Sequence, residues 1–186
     1  GGDDRCGVYI ILKLLKQGFR PSILFCTDEE IGGIGATAFT KDYQEIENVN
    51  WFLEFDRKGK NDVVRYDDDN GELTNEIVKF GFKEEWGTFS DISILAPHFG
   101  KSAVNLSSGY YLAHTLNEYI NLDDLEEIID KATKILSSDL VNKEFKYIET
   151  DYTNWYTSRY DYYPTTNNYD YYTNNYDYTT RYDYPQ

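Results

Sequence analysis

The sequence predicts an α/β domain with a largely parallel sheet over residues 1–150, followed by an irregular tyrosine-rich extension over 151–186. Short apolar or β-branched runs alternate with helix-period patterns in the first 150 residues, which is typical of parallel sheets with crossover helices. Hydrophobic residues make up 40% of the 186-residue chain, which is enough for a core. The composition then changes abruptly, because 12 of the 19 tyrosines lie in the last 36 residues, where Lys and Glu are absent.

The first half of the domain begins with a helix pattern and continues with strand patterns. Residues 8–15 have the length and period of a mostly buried helix, which Gly18 ends. Residues 22–26 form a short apolar run, which predicts a buried strand. We also expect a short helix at 35–40 and strands at 51–55 and 63–66.

The second half of the domain ends in the clearest helix of the chain. A helix is expected at 72–80 with Gly81 as its stop, then a short helix at 91–95 and a strand at 103–106. Asn121 is placed to cap the last helix. Seven apolar residues make one stripe along that helix: Leu122, Leu125, Ile128, Ile129, Ala132, Ile135 and Leu136.

Composition excludes several classes of partner. The net charge is −15 and basic residues are not clustered, so we expect no nucleic acid and no membrane as partner. No apolar run is long enough to span a bilayer. Cys6 and Cys26 lie in apolar contexts and are expected to be buried free thiols rather than a disulfide. The chain has no Met and opens with Gly1-Gly2, so we expect that residue 1 is not the start of the gene.

Carboxylates follow two of the predicted strands. Glu29 and Glu30 come after the run at 22–26 and lead into a glycine-rich stretch, and Asp56 comes directly after the strand at 51–55. Ligands bind beyond the carboxyl ends of the strands in parallel sheets, so this position favours a site. An exposed helix start for Glu29 and Glu30, or a surface ion pair for Asp56, is the alternative.

Two further candidates stand elsewhere in the chain. Asp3 precedes the first helix, where it can equally serve as a cap, and His114 follows a tyrosine pair. Carboxylate and imidazole ligands without a thiolate suit zinc, cobalt or manganese.

Several stretches of the chain form a set of motifs. They are Gly2-Asp-Asp-Arg-Cys-Gly7, Thr27-Asp-Glu-Glu-Ile-Gly-Gly-Ile-Gly35, Phe52-Leu-Glu-Phe-Asp56, Ser90-Asp91 and Gly109-Tyr-Tyr-Leu-Ala-His-Thr115, with Asn117 and Glu118 beyond. Together they resemble the dizinc exopeptidases, which include aminopeptidases, related carboxypeptidases and dipeptidases. The resemblance covers about residues 1–138, and its motifs occur in the family's order and spacing.

The resemblance implies a three-layer sandwich, one or two zinc ions and a peptide substrate. It implies that Asp3 bridges the metals and that Glu29 is the general base. Glu30 and His114 would bind one metal, and Asp56 would bind the other.

The chain departs from the family pattern in two ways. The family has another metal-binding His shortly before the bridging Asp, whereas two residues precede Asp3 here, so we expect an N-terminally truncated form. Only 57 residues separate Asp56 from His114, too few for the lid domain of many relatives, so the single-domain aminopeptidase type is the closer match.

The tail repeats Tyr-Asp-Tyr at irregular spacing and has no aliphatic residues. Tyrosines favour interfaces, so we expect the tail to pack against another chain or to support self-association in a fibre. The tyrosines of the repeats are Tyr160, Tyr162, Tyr169, Tyr171, Tyr176, Tyr178, Tyr182 and Tyr184. The sequence therefore predicts a metal-dependent exopeptidase, with an impaired domain reused as an assembly protein as the alternative.

Overall fold

The sheet in the computed structural model, which describes residues 1–151, has four strands in the order β1-β4-β2-β3. Strands β1 and β4 pair in parallel, as do β2 and β3, whereas β2 and β4 are antiparallel. The predicted α/β class with a mostly parallel sheet is confirmed. The strand bounds are β1 Phe52–Arg57, β2 Asp62–Val64, β3 Lys83–Glu84 and β4 Ala103–Ser107, with a separate two-stranded sheet of β5 Tyr110–Tyr111 and β6 Tyr119–Ile120.

The predicted helices are all present, with shifted ends. The third predicted helix continues as one 3-10 turn, Val78–Phe80, and ends at Gly81, whose φ of 92° suits a glycine. A second 3-10 turn, Glu29–Ile31, precedes the second helix, and a third, Asp139–Asn142, follows the last. The α-helices are α1 Arg5–Lys16, α2 Ile34–Asp42, α3 Glu72–Ile77, α4 Ile92–Phe99 and α5 Leu122–Leu136.

Helices contribute to hydrophobic cores on both faces of the sheet, because successive strand side chains point to opposite faces. Val63 packs in the core that α1, α3 and α5 complete, whereas its neighbour Val64 packs in a smaller core with α4. The larger core includes Ile10, Leu14, Leu73, Ile77, Val104, Leu106, Ile128 and Ile135, all at most 3% exposed.

The N-terminus of α5 is capped as predicted. The Asn121 side-chain oxygen accepts hydrogen bonds from the backbone N–H groups of Asp123 and Asp124, at 3.0 and 3.2 Å. One member of the predicted stripe is wrong: Leu122 is 69% exposed. It is the first residue of the helix, and burial begins one turn later, at Leu125.

The buried strand predicted at residues 22–26 is also wrong. The segment is outside every strand, and Phe25 is 54% exposed. A strand needs a backbone partner, and among residues 1–151 β1 has only β4 as its sheet neighbour. A groove of about 1130 Å³, lined by α1, β1 and residues 22–26, lies along this edge. The apolar run gave no information about whether a partner strand lay beside it.

Some expectations concern other parts of the chain. Cys6 and Cys26 are free thiols, as predicted, but the predicted burial is correct only for Cys6, because Cys26 is half-buried. No helix within residues 1–151 has the length and hydropathy needed to cross a bilayer. The interface predicted for the tyrosine repeats lies outside the described residues and stays a prediction.

Candidate metal centre

Asp3 is positioned by a close approach between α1 and β1. Gly7, in the first turns of α1, lies so near β1 that a Cβ atom there would be 2.0 Å from the carbonyl oxygen of Phe55. Glycine is therefore required at this position. The approach brings the start of α1 to the last residues of β1, so that Asp3 and Asp56 line one pocket.

His114 lies in the loop between β5 and β6, in a left-handed conformation with φ of 61°. Leu112 is also left-handed, and its carbonyl oxygen accepts a hydrogen bond from the Thr115 hydroxyl at 2.7 Å, which closes the turn. The backbone N–H of Gly2 donates to the carboxylate of Glu118, which joins this loop to the segment that carries Asp3.

Glu29 and Glu30 begin a 3-10 turn rather than follow a strand, so their predicted placement after a strand is wrong. The turn is closed at its base by a hydrogen bond from Gly35 N–H to the carbonyl of Thr27, at 2.9 Å. A Cβ atom at Gly35 would be 2.5 Å from the Thr27 nitrogen, so the closure depends on glycine.

The structure brings Asp3, Glu30 and His114 together. Each offers one ligand atom, and the three atoms lie within 4.8 Å of one another. His114 Nε2 lies 3.6 Å from Asp3 Oδ2, and His114 Nδ1 lies 3.6 Å from Glu30 Oε1. Asp3 and His114 are 111 positions apart in the sequence. The three residues meet because the start of α1, the 3-10 turn and the β5–β6 loop lie at the same end of the sheet.

The chemistry of this donor set suits one zinc ion, because zinc takes carboxylate and imidazole ligands. The two 3.6 Å distances involve different nitrogens of the His114 ring, and an ion takes only one of them. Ligands of tetrahedral zinc lie about 3.3–3.6 Å apart, which is closer than the 4.8 Å within which the three ligand atoms lie. Cobalt and manganese accept the same ligand types.

Asp56 and Glu29 line the same pocket of about 360 Å³ as these three residues, but they are outside the group of donors within 4.8 Å. The backbone of Asp56 is fixed by the buried Asn105 side chain, which accepts from its N–H at 2.9 Å and donates to its carbonyl at 3.2 Å. Burial, and then the charge of Glu54, raises the pKa of Asp56.

Glu29 has the electrostatic surroundings of a proton acceptor. Burial raises the pKa of its carboxyl to about 7, and the charge of Glu30 adds to the effect, whereas His114 opposes it. A group whose pKa is near neutrality can accept and return a proton at physiological pH. Asp4, which sequence reasoning left without a role in the site, has its pKa raised to about 7 by burial and by Asp3.

A buried polar layer beneath the pocket was also missed. Burial raises the pKa of Glu54 to about 8, against the stabilising hydrogen bond that its carboxylate accepts from Ser90 Oγ at 2.5 Å. Asn105 Nδ2 donates to Ser90 Oγ and to Tyr66 OH, both at 3.3 Å. The sequence contained part of the evidence for this polar layer. Alternate residues of a strand share a face, so Glu54 lies on the same side of β1 as Asp56.

The comparisons with known proteins assign no role to the residues of this site. No protein-family model matches the chain, and no curated protein matches it either. A solved structure of PhTET1-12s, described as a dodecamer in the asymmetric unit, is similar with a TM-score of 0.49 and 20% identity. The similarity covers 73% of this chain, which spans about half (49%) of the length of that chain.

Proposed function

We propose that this chain is a metal-dependent exopeptidase of the aminopeptidase type, which hydrolyses terminal peptide bonds with a metal-activated water. The observation that carries the proposal is the convergence of Asp3, Glu30 and His114, whose ligand atoms lie within 4.8 Å of one another. The donor types suit zinc, and the pocket beside them has space for a small ligand.

Each residue has a separate task in the proposed reaction. Asp3, Glu30 and His114 would hold one zinc ion, and Asp56, which lines the same pocket, would supply a ligand to a second ion. Bound metal supplies a Lewis acid for the scissile carbonyl and lowers the pKa of a water. Glu29 accepts the proton of that water and returns it to the leaving amine.

The surrounding residues keep these groups in place. Gly7 allows the start of α1 to approach β1, which fixes Asp3. Asn105 fixes the backbone of Asp56 through two hydrogen bonds. We also propose that the domain has the three-layer architecture of zinc exopeptidases. Helices that lie against both faces of a mostly parallel sheet support this architecture.

The test is hydrolysis of an alanine or leucine anilide by the zinc-loaded chain, measured beside zinc content. We expect Glu29→Gln to reduce kcat by about 10²–10⁴-fold, because it removes the proton acceptor, while zinc content stays unchanged. Glu72→Gln, at an exposed position on α3 outside both the groove and the pocket, is the matched control and should keep full activity. Hydrolysis that survives both Glu29→Gln and a chelator would contradict the proposal.

A further inference from the structure

The pocket beside the proposed metal centre has walls of unequal charge. Four carboxylates line it, those of Asp3, Glu29, Glu30 and Asp56. Two cationic side chains, Arg57 and Lys58, line it as well. A substrate group that binds between these walls experiences both signs of charge. Which substrate charge the pocket binds therefore depends on whether each cation is already paired with a protein group.

The guanidinium of Arg57 is already paired with other groups of the protein. Its Nε lies 3.3 Å from the carboxylate of Asp62, and its Nη2 donates to the carbonyl of Trp86 at 3.1 Å. These contacts hold the guanidinium against β2 and the loop that follows β3. Arg57 therefore has a structural role at the rim of the pocket.

Lys58 differs, because its ammonium group is exposed and forms no ion pair with any carboxylate of residues 1–151. Nearby Lys60 shows the contrast, since its ammonium lies 3.2 Å from Asp124 and 3.5 Å from Glu127. Within the described part of the chain, Lys58 is thus a cation of the pocket wall that no protein group neutralises.

The backbone at Lys58 is held firmly, so its side chain starts from a fixed point. Its carbonyl accepts a hydrogen bond from the Ser107 hydroxyl at 2.9 Å. The next residue, Gly59, donates to the carbonyl of Tyr110 at 2.8 Å and accepts from Gly109 N–H at the same distance. The loop after β1 is therefore hydrogen-bonded to the last residue of β4 and to the residues that follow it.

We infer that Lys58 binds a carboxylate of the substrate, so that the pocket selects peptides with a negative charge near the scissile bond. The inference rests on the proposed peptidase function and specifies its substrate class. Lys58 shares this pocket of about 360 Å³ with the four carboxylates, which also line the larger groove. The carboxylate has two possible sources, the free α-carboxylate of a dipeptide or the side chain of an amino-terminal Asp or Glu.

Two matched substrate pairs separate these sources. Ala-Ala is compared with Ala-Ala-amide, and Glu-Ala-amide with Gln-Ala-amide, by kcat/KM and by calorimetric binding to the Glu29→Gln variant. In the wild-type chain we expect about a tenfold preference for the charged member of one pair. Lys58→Gln should abolish that preference, whereas Lys134→Gln, an exposed lysine on α5 outside the pocket, should keep it.

The outcomes separate this inference from the function on which it rests. If Lys58→Gln loses the preference in the first pair, Lys58 binds the α-carboxylate of the substrate. If it loses the preference in the second pair, Lys58 binds the acidic side chain. Equal preference in wild type and Lys58→Gln for both pairs overturns the inference. If no peptide is hydrolysed, the proposed peptidase function is wrong, but the inference about Lys58 is still tested. Calorimetric affinities then show whether Lys58 distinguishes a carboxylate from an amide.

Discussion

Replacement of Glu54 by glutamine tests the electrostatics of the polar layer beneath the pocket. The carboxylate of Glu54 accepts a hydrogen bond from Ser90 Oγ, and Asp91, Glu29 and Asp4 lie close enough for their charges to affect it. Glutamine has the same shape and can still accept from Ser90. The substitution therefore removes the ionisation while it preserves the hydrogen bond.

The expected magnitude follows from the pKa of Glu54, which burial raises from 4.5 to about 8. Because the folded-state pKa is the higher one, the folded chain retains a proton that the unfolded chain loses between those values. Wild-type stability therefore falls as pH rises through that window. At about 1.4 kcal/mol per pH unit, the loss between pH 5 and pH 7.5 is about 3 kcal/mol.

Urea unfolding at pH 5 and pH 7.5, in the presence of a chelator, measures this effect. We expect Glu54→Gln to gain about 3 kcal/mol over wild type between the two pH values, because glutamine cannot ionise. The exposed Glu47 supplies the control, since Glu47→Gln should leave the difference near zero. A difference between Glu54→Gln and wild type that does not change with pH would refute the reasoning.

Three further predictions concern the helices and the tail. Asn121→Ala removes the acceptor for two backbone N–H groups, and we expect urea unfolding to show a loss of about 1 kcal/mol, whereas an unchanged midpoint would contradict the capping role. Ile135→Ala leaves a cavity in the larger core, and the same assay should show a loss of about 2–5 kcal/mol; a loss under 1 kcal/mol would contradict tight packing there. Deletion of residues 152–186 should lower the association state in ultracentrifugation if the tail supports self-association, and identical profiles would reject that alternative.

The elements that could be predicted from the sequence are those defined by local signals. Helix α5 was predicted because its cap and its apolar stripe both lie within 16 residues of sequence, Asn121–Leu136. The same reason explains the correct stop at Gly81, where the backbone needs a positive φ. Strand β4 was predicted from one apolar run, and all five of its residues are buried.

The errors concern properties that depend on distant partners. Residues 22–26 have the apolar composition of a buried strand, but a strand also requires hydrogen-bond partners that no local pattern specifies. Glu54 contacts Ser90, its hydrogen-bond donor, and lies opposite Asn105 on β4, which are 36 and 51 positions further along the chain. Local periodicity shows the face on which a residue lies, but not what covers that face.

The proximity of the proposed ligands had a different origin. Asp3 and His114 are separated by most of the domain, and neither hydrophobic period nor turn chemistry relates them. The resemblance to dizinc exopeptidases supplied the pairing, and the structure places His114 Nε2 3.6 Å from Asp3 Oδ2. The absence of an ion pair at Lys58 within residues 1–151 was not foreseen, because the alternative weighed for Asp56 was a surface ion pair.

Anomalous diffraction at the zinc edge, from crystals of the full chain grown with zinc, tests the metal centre most directly. We predict a peak about 2.0–2.2 Å from one atom each of Asp3, Glu30 and His114. The His114→Ala variant should lose or weaken that peak. Zinc bound only elsewhere, or a peak that His114→Ala leaves unchanged, would contradict the assignment of these three residues.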